Sequence, residues 1–240
     1  MANYVMGDTH GDQILWHSYI HPLLKKGDRA FVMGDFGVGF WNGRYWSEET
    51  FLDFLEEQPY TVYFVDGNHE DFSKLYGYPV VERHGGEMHQ LRKNLFHLMR
   101  GEIYTFDGKT VLAMGGGYSL DKATRAEGYD WWPEEMPTGE EYRHCSDNLA
   151  KHHHQVDYIF THTCPYDTLQ YMATMNLGIQ KNVTEEQPLT LFLNYLAENT
   201  TYDKWYFGHF HCDRELWRNQ YVLLDAIRDM ETGEVVRYRL

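Results

Sequence analysis

Cysteine is scarce in this 240-residue chain, and the three present, Cys145, Cys164 and Cys212, are odd in number, far apart and without a C-x-x-C pair. That spacing argues against a disulfide framework and against a cysteine-built zinc site. A reducing cytoplasm is the expected setting. No run of about 18 apolar residues occurs, so no membrane-spanning helix is expected. The opening MANYVMGDTHG lacks the basic-then-apolar order of a secretory signal. Positive charge is also short: 21 Lys and Arg stand against 36 Asp and Glu, a formal net charge of −15. Without a basic stripe, broad binding to a nucleic-acid backbone is not expected. The carboxylates either cover a solvated surface or are balanced in part by bound cations.

What the chain does have is core material. Hydrophobic residues make up 42% and aromatics 16%, with 19 Tyr and 7 Trp. That is enough for one α/β domain over residues 1–240. Short β-branched or aromatic runs recur at NYVM (3–6), RAFVM (29–33), TVYFV (61–65), TVLAM (110–114), DYIF (157–160), KWYF (204–207) and YVLL (221–224), and read as buried strands. Helices are expected over 12–25, after Ser47 as N-cap, after the capping-box pattern Thr138-x-x-Glu141, and over 188–198. Asp107-Gly108 signals a hairpin, and Thr232-Gly233 a second. A β-α-β-α-β start followed by antiparallel strands is satisfied by one mixed sheet, or by two sheets packed face to face with helices outside. The segment at about 115–138, with three consecutive glycines and the pair Trp131-Trp132, has no sustained period and reads as a long functional loop.

Five of these strands deliver metal-ligand residues at their C-terminal ends. NYVM leads to Asp8 and His10, RAFVM to Asp35, TVYFV to Asn68 and His69, DYIF to His162, and KWYF to His209 and His211. In α/β sheets that end is where sites are built. The mixed nitrogen and oxygen set suits Mn²⁺, Fe or Zn²⁺ better than Ca²⁺. Seven ligands exceed one tetrahedral site, whereas a two-metal site uses them if a carboxylate bridges.

With Asp8-x-His10, Gly34-Asp35, Gly67-Asn68-His69-Glu70, Thr161-His162 and Gly208-His209-x-His211 in this order, the chain resembles the calcineurin-like metallophosphoesterase family. The resemblance implies two packed mixed β-sheets flanked by helices, a four-layer αββα sandwich, with a dinuclear centre at the strand ends. Carried over by position, Asp8, His10 and His211 hold one metal, and Asn68, His162 and His209 the other, with Asp35 bridging. Two divalent ions are implied, Mn first, with Fe, Zn, Ni or Mg as alternatives. The implied reaction is hydrolysis of a phosphomonoester or phosphodiester by a metal-bridging hydroxide, with His69 protonating the leaving oxygen.

The chain departs from the family's protein-phosphatase members at Val38 and Gly39, where those enzymes carry an Asp that orients the catalytic His and an Arg that grips phosphate. Arg44 and Arg125 are candidates for the missing phosphate-binding charge, with Lys122 behind them. Tyr118, Trp131 and Trp132 would stack on a substrate or else fill a gap beneath the loop. His17, His21, His84, His89, His97 and His144 carry no motif and read as structural. A small or nucleotide-like phosphate ester is the expected substrate. A nuclease of the same family is the alternative, followed by a non-catalytic protein-binding scaffold.

Overall fold

The computed structural model describes residues 1–39, 48–175, 177, 179–180 and 183–238. Ser47 and Arg44 lie outside them. In chain order the elements are β1 (Asn3–Met6), α1 (Gln13–Leu15), β2 (Arg29–Met33), α2 (Glu48–Glu56), β3 (Thr61–Val65), α3 (Phe72–Leu75), β4 (Val80–Arg83), β5 (Gly86–Arg92), β6 (Leu95–Leu98), β7 (Ile103–Phe106) and β8 (Lys109–Met114). There follow α4 (Gly139–Lys151), β9 (Tyr158–Thr161), α5 (Tyr166–Ala173), α6 (Gln187–Asn199), β10 (Lys204–Phe207), β11 (Arg214–Leu216), β12 (Gln220–Val222), β13 (Ala226–Asp229) and β14 (Val235–Tyr238). None of the described helices is long and apolar enough to cross a membrane.

The strands form two mixed sheets, of eight strands in the order β14-β13-β1-β2-β3-β6-β5-β4 and of six in the order β11-β12-β10-β9-β8-β7. Alternation along the strands builds the layers. In β2, Phe31 and Met33 point between the sheets and meet Phe106, Phe160 and Tyr206. Ala30 and Val32 point the other way, into a core completed by Trp16, Phe51 and Leu52 from the α1 and α2 regions. On the far side of the six-stranded sheet, Leu112, Ile159 and Trp205 pack on Cys145 of α4, Leu169 of α5 and Leu193 of α6. Helices outside two facing sheets give the four-layer sandwich.

Several local expectations are met. The α4 N-terminus carries a full capping box between Thr138 and Glu141. The β7–β8 turn places Asp107 and Gly108 at φ 52° and 82°, the left-handed pair that a two-residue hairpin needs. Thr232-Gly233 turns β13, rather than the Leu223 run, into β14. The expected helix over 12–25 is a correction: α1 gives way to a π turn over Trp16–Ile20, and Pro22 removes the donor for a further turn. Leu15, Ile20 and Leu24 are buried as an apolar face requires, but Ile14 is exposed.

Register places the site. β1, β2 and β3 run parallel with Met6 beside Val32 and Met33 beside Val65. β8, β9 and β10 run parallel with Met114 beside Thr161 and Tyr206 beside Phe160. The strands therefore end nearly flush, and the loops after them meet along one edge.

Candidate metal centre

Each strand hands its polar residues to a loop pinned by its neighbours. The His10 backbone N–H donates to the Asp35 carbonyl (2.7 Å), and that of Gly11 to the Phe36 carbonyl (2.7 Å). Glu70, fully buried, accepts the backbone N–H groups of Phe36 (2.7 Å), Gly37 (3.0 Å) and Val38 (2.6 Å), which fixes the loop carrying Asp35. Asp213 does the same for the end of the Gly208–His211 loop, accepting from Leu224, Asp225 and Ala226 at 2.9–3.0 Å. Two glycines are forced by close approach. Gly34 has φ +89°, and a Cβ there would collide with the His162 imidazole; at Gly67 it would collide with the Asp35 carboxylate. His10, Asp35, His209 and His211 themselves have positive φ, 47°, 48°, 66° and 47°. Such strain costs on the order of 1–3 kcal/mol per residue and persists where the surroundings over-determine it, commonly at functional sites.

The seven side chains expected to bind metal converge. Asp8 Oδ2 lies 3.3 Å from His211 Nε2 and 3.9 Å from His10 Nε2, and these two nitrogens are 3.4 Å apart. Asp35 sits between two groups, with Oδ1 3.4 Å from His162 Nε2 and Oδ2 3.8 Å from His10 Nδ1. His162 Nε2 is also 3.1 Å from Asn68 Oδ1 and 3.2 Å from His209 Nδ1. Two triads, Asp8 with His10 and His211, and Asp8 with Asp35 and His162, have all their ligand atoms within 4.8 Å of one another. Asp8 and Asp35 are buried, while His211 stands at the rim.

The partners behind these residues fix which atoms point inward. The Met33 carbonyl can only accept, so it takes the Nδ1 hydrogen of His162 (2.9 Å) and leaves Nε2 facing the cluster. Asn68 donates through Nδ2 to Ser119 Oγ (3.1 Å), which turns its Oδ1 inward. Glu186 Oε1 lies 3.5 Å from His209 Nε2, on the side of the ring away from Nδ1. Electron-pair donors thus face one another at 3.1–3.9 Å, an arrangement that repels itself unless a positive charge lies among them. Protons alone supply that charge at one place. Burial opposes protonation of His162, but Asp35 and Asp8 overcome it and push its pKa up to about 10. Burial likewise resists ionisation of Asp35, yet the imidazoles of His162 and His69 hold its carboxyl well below the usual range. Burial and His162 push His209 down to about 3, so its imidazole is neutral. The donor set fits divalent cations.

Residues 3–213 match the family model described as Calcineurin-like phosphoesterase. The chain belongs to that family. No curated protein matches it. Calcineurin-like phosphoesterases are metal-dependent, and the buried Asp and His groups at the strand ends of this member are its candidate metal site.

The remaining sequence candidates fall around this centre in different ways. His69 lies edge-on to His10 at 5.5 Å between ring centroids, and its backbone N–H donates to Asp35 Oδ1 (2.8 Å). Burial lowers its pKa, and the charge on Arg125 contributes to the lowering. Arg125 is gripped by Asp121 through Nε and Nη2, both at 2.6 Å. Tyr118 is partly exposed, and Lys122 Nζ lies 3.9 Å above the ring of Trp131. Trp131 is buried under that lysine. Trp132 is part of the core beside Phe72 and donates its indole N–H to Ser73 Oγ (2.9 Å). Val38 is core as well, so the position that bears an acid in protein phosphatases serves packing here. Sequence reasoning assigned no role to Ser119, Glu186 or Glu70. Glu70 stood in a quoted motif, whereas nothing near Ser119 or Glu186 in the chain signals a ligand partner.

Proposed function

We propose that the protein hydrolyses a phosphomonoester or phosphodiester, small or nucleotide-like, using two divalent cations and His69 as proton donor to the leaving alcohol. The convergence of seven donor side chains, each turned inward or buried at the strand ends, carries this reading. Asp8, His10 and His211 would hold one cation, and Asn68, His162 and His209 the other. Asp35, whose two oxygens face His162 and His10, would reach both. When bound, the cations supply charge against the phosphate and lower the pKa of a water molecule. Mn²⁺ suits the set first, with Fe, Zn²⁺, Ni²⁺ or Mg²⁺ as alternatives.

The chain's own residues do the rest. Asp35 fixes the His69 backbone, so the imidazole has a defined place beside the ligands. Standing edge-on to His10 among the ligands, His69 would be the group that hands a proton to the departing oxygen. The formal charge of −15 disfavours a nuclease, and a complete ligand set with His69 in place disfavours a bare scaffold. A cytoplasmic location completes the reading.

Turnover of an activated aryl phosphate by metal-replete protein tests it. His69→Ala should keep its metal content and lose about 10²- to 10⁴-fold in rate, while Asp35→Asn should lose metal. Full turnover after verified metal removal would overturn the proposal.

A further inference from the structure

The segment that follows β8 lies directly on three of the expected ligands. A Cβ added to Gly117 would stand 2.9 Å from His162 Cδ2, 3.3 Å from Asn68 Oδ1 and 3.6 Å from His209 Cε1. Those three residues are the set assigned to one cation, and glycine is what lets the backbone come so close to them. Glu135 holds this segment at two points. Its backbone carbonyl accepts the Gly117 N–H (3.1 Å), and its side-chain Oε1 accepts the Ser119 N–H (3.1 Å). Ser119 in turn receives Asn68 Nδ2 on its Oγ (3.1 Å), which leaves Asn68 Oδ1 3.1 Å from His162 Nε2. Glu135 is only 1% exposed. A carboxyl is costly to bury, and an apolar side chain would serve packing as well, so its place beside Ser119 calls for a polar task.

We infer that Glu135 is a positioning residue for the half of the metal centre built from Asn68, His162 and His209, and that it acts through Ser119. The inference rests on the two-cation reading of the site. Ser119 is buried, so without Oε1 its N–H lacks an acceptor and the residue must turn to find one. Turning Ser119 moves the hydroxyl that holds Asn68 Nδ2. The Asn68 amide is then free to rotate and present its NH₂, which has only donors and cannot ligate a cation, in place of its oxygen. The other half of the centre is pinned by different groups. The His10 and Gly11 N–H groups are held by the Asp35 and Phe36 carbonyls, and Asp213 secures the end of the loop that carries His211. Loss of the Glu135 carboxyl therefore weakens one cation and spares the other.

Mn²⁺ binding to the whole chain, stripped of metal and titrated in competition with a chromophoric chelator, gives an affinity for each ion and does not depend on turnover. Glu135→Ala should weaken one ion about tenfold and leave the other as in the wild type. Ser119→Ala should weaken the same ion by about 10- to 100-fold. Joining the two substitutions should cost little beyond Ser119→Ala alone, because both interrupt one chain of hydrogen bonds. Should the space left by alanine prevent folding, Glu135→Leu fills it without restoring the acceptor. Unchanged affinity for both ions overturns the inference. Equal weakening of both ions also overturns it and makes Glu135 a general prop of the fold, and fully additive losses in the double variant overturn the route through Ser119. Wild-type protein that takes up one ion only overturns the two-cation reading, and the inference with it.

Discussion

Asp66→Asn should destabilise the protein by about 3–5 kcal/mol, the usual cost of removing one partner from a buried ion pair. Asp66 and the Arg100 side chain are buried, and Oδ2 receives both Arg100 Nε (2.9 Å) and Nη2 (2.6 Å). Its other oxygen lies 3.0 Å from His97 Nε2. Asparagine keeps the shape but strips the charge, leaving a guanidinium whose nearest remaining carboxylate, Glu141, is 3.4 Å away. Arg100 also donates to the carbonyls of Glu134 (2.8 Å) and Glu135 (3.3 Å), and the Asp66 carbonyl accepts the Gly116 N–H (3.0 Å). The pair therefore clamps both ends of the long loop to the turn that bears Asn68 and His69. Urea unfolding followed by tryptophan fluorescence, in chelator so that metal does not contribute by mass action, measures the loss. The pH dependence gives an independent check. Burial opposes ionisation of Asp66, but Arg100 and His97 hold its pKa below the ordinary carboxylate value. A group with a depressed folded pKa contributes fully above its unfolded pKa, about 3.9, and loses that contribution as pH falls through the folded value. The gap between wild type and Asp66→Asn should be flat from pH 7 to about 4 and narrow below. A loss under about 1 kcal/mol, or a gap that widens on acidification, would refute the argument.

Two further outcomes follow from the geometry of the centre. Glu186→Gln keeps size but removes the carboxylate facing His209, so metal affinity in chelator competition should fall about 10- to 100-fold with the circular dichroism unchanged; unaltered affinity would make Glu186 a bystander. Gly34→Ala must accommodate a Cβ against the His162 ring at φ +89°, so bound metal should fall below two equivalents, and full stoichiometry would contradict the packing described.

Much of the scaffold was legible in the chain because local chemistry agreed with the final contacts. The runs 3–6, 29–33, 61–65 and 204–207 coincide with β1, β2, β3 and β10 to the residue. Each is apolar after its first residue, as strands covered on both faces must be. Elsewhere the signal was weak. β4 and β5 carry Glu82, Arg83, Glu87 and Gln90 at the sheet's edge, and their hairpin turns on His84-Gly85, at φ 58° and 89°, where a histidine takes the place usually held by Asn or Asp. The tryptophan pair shows the limit most clearly. An exposed stacking platform and a core plug have the same composition, and only packing placed Trp132 among Phe36, Phe51 and Phe72.

The sequence by itself determined the five strands that lead to the site, the Asp, Asn and His residues that follow them and the charge balance, since each of these depends on neighbours a few positions away. Tertiary structure alone decided that Glu186 backs His209 and that Ser119 turns the Asn68 carbonyl inward. Those pairings join residues dozens of positions apart, and distance in space, not order in the chain, sets whether a carboxylate or a hydroxyl reaches its target.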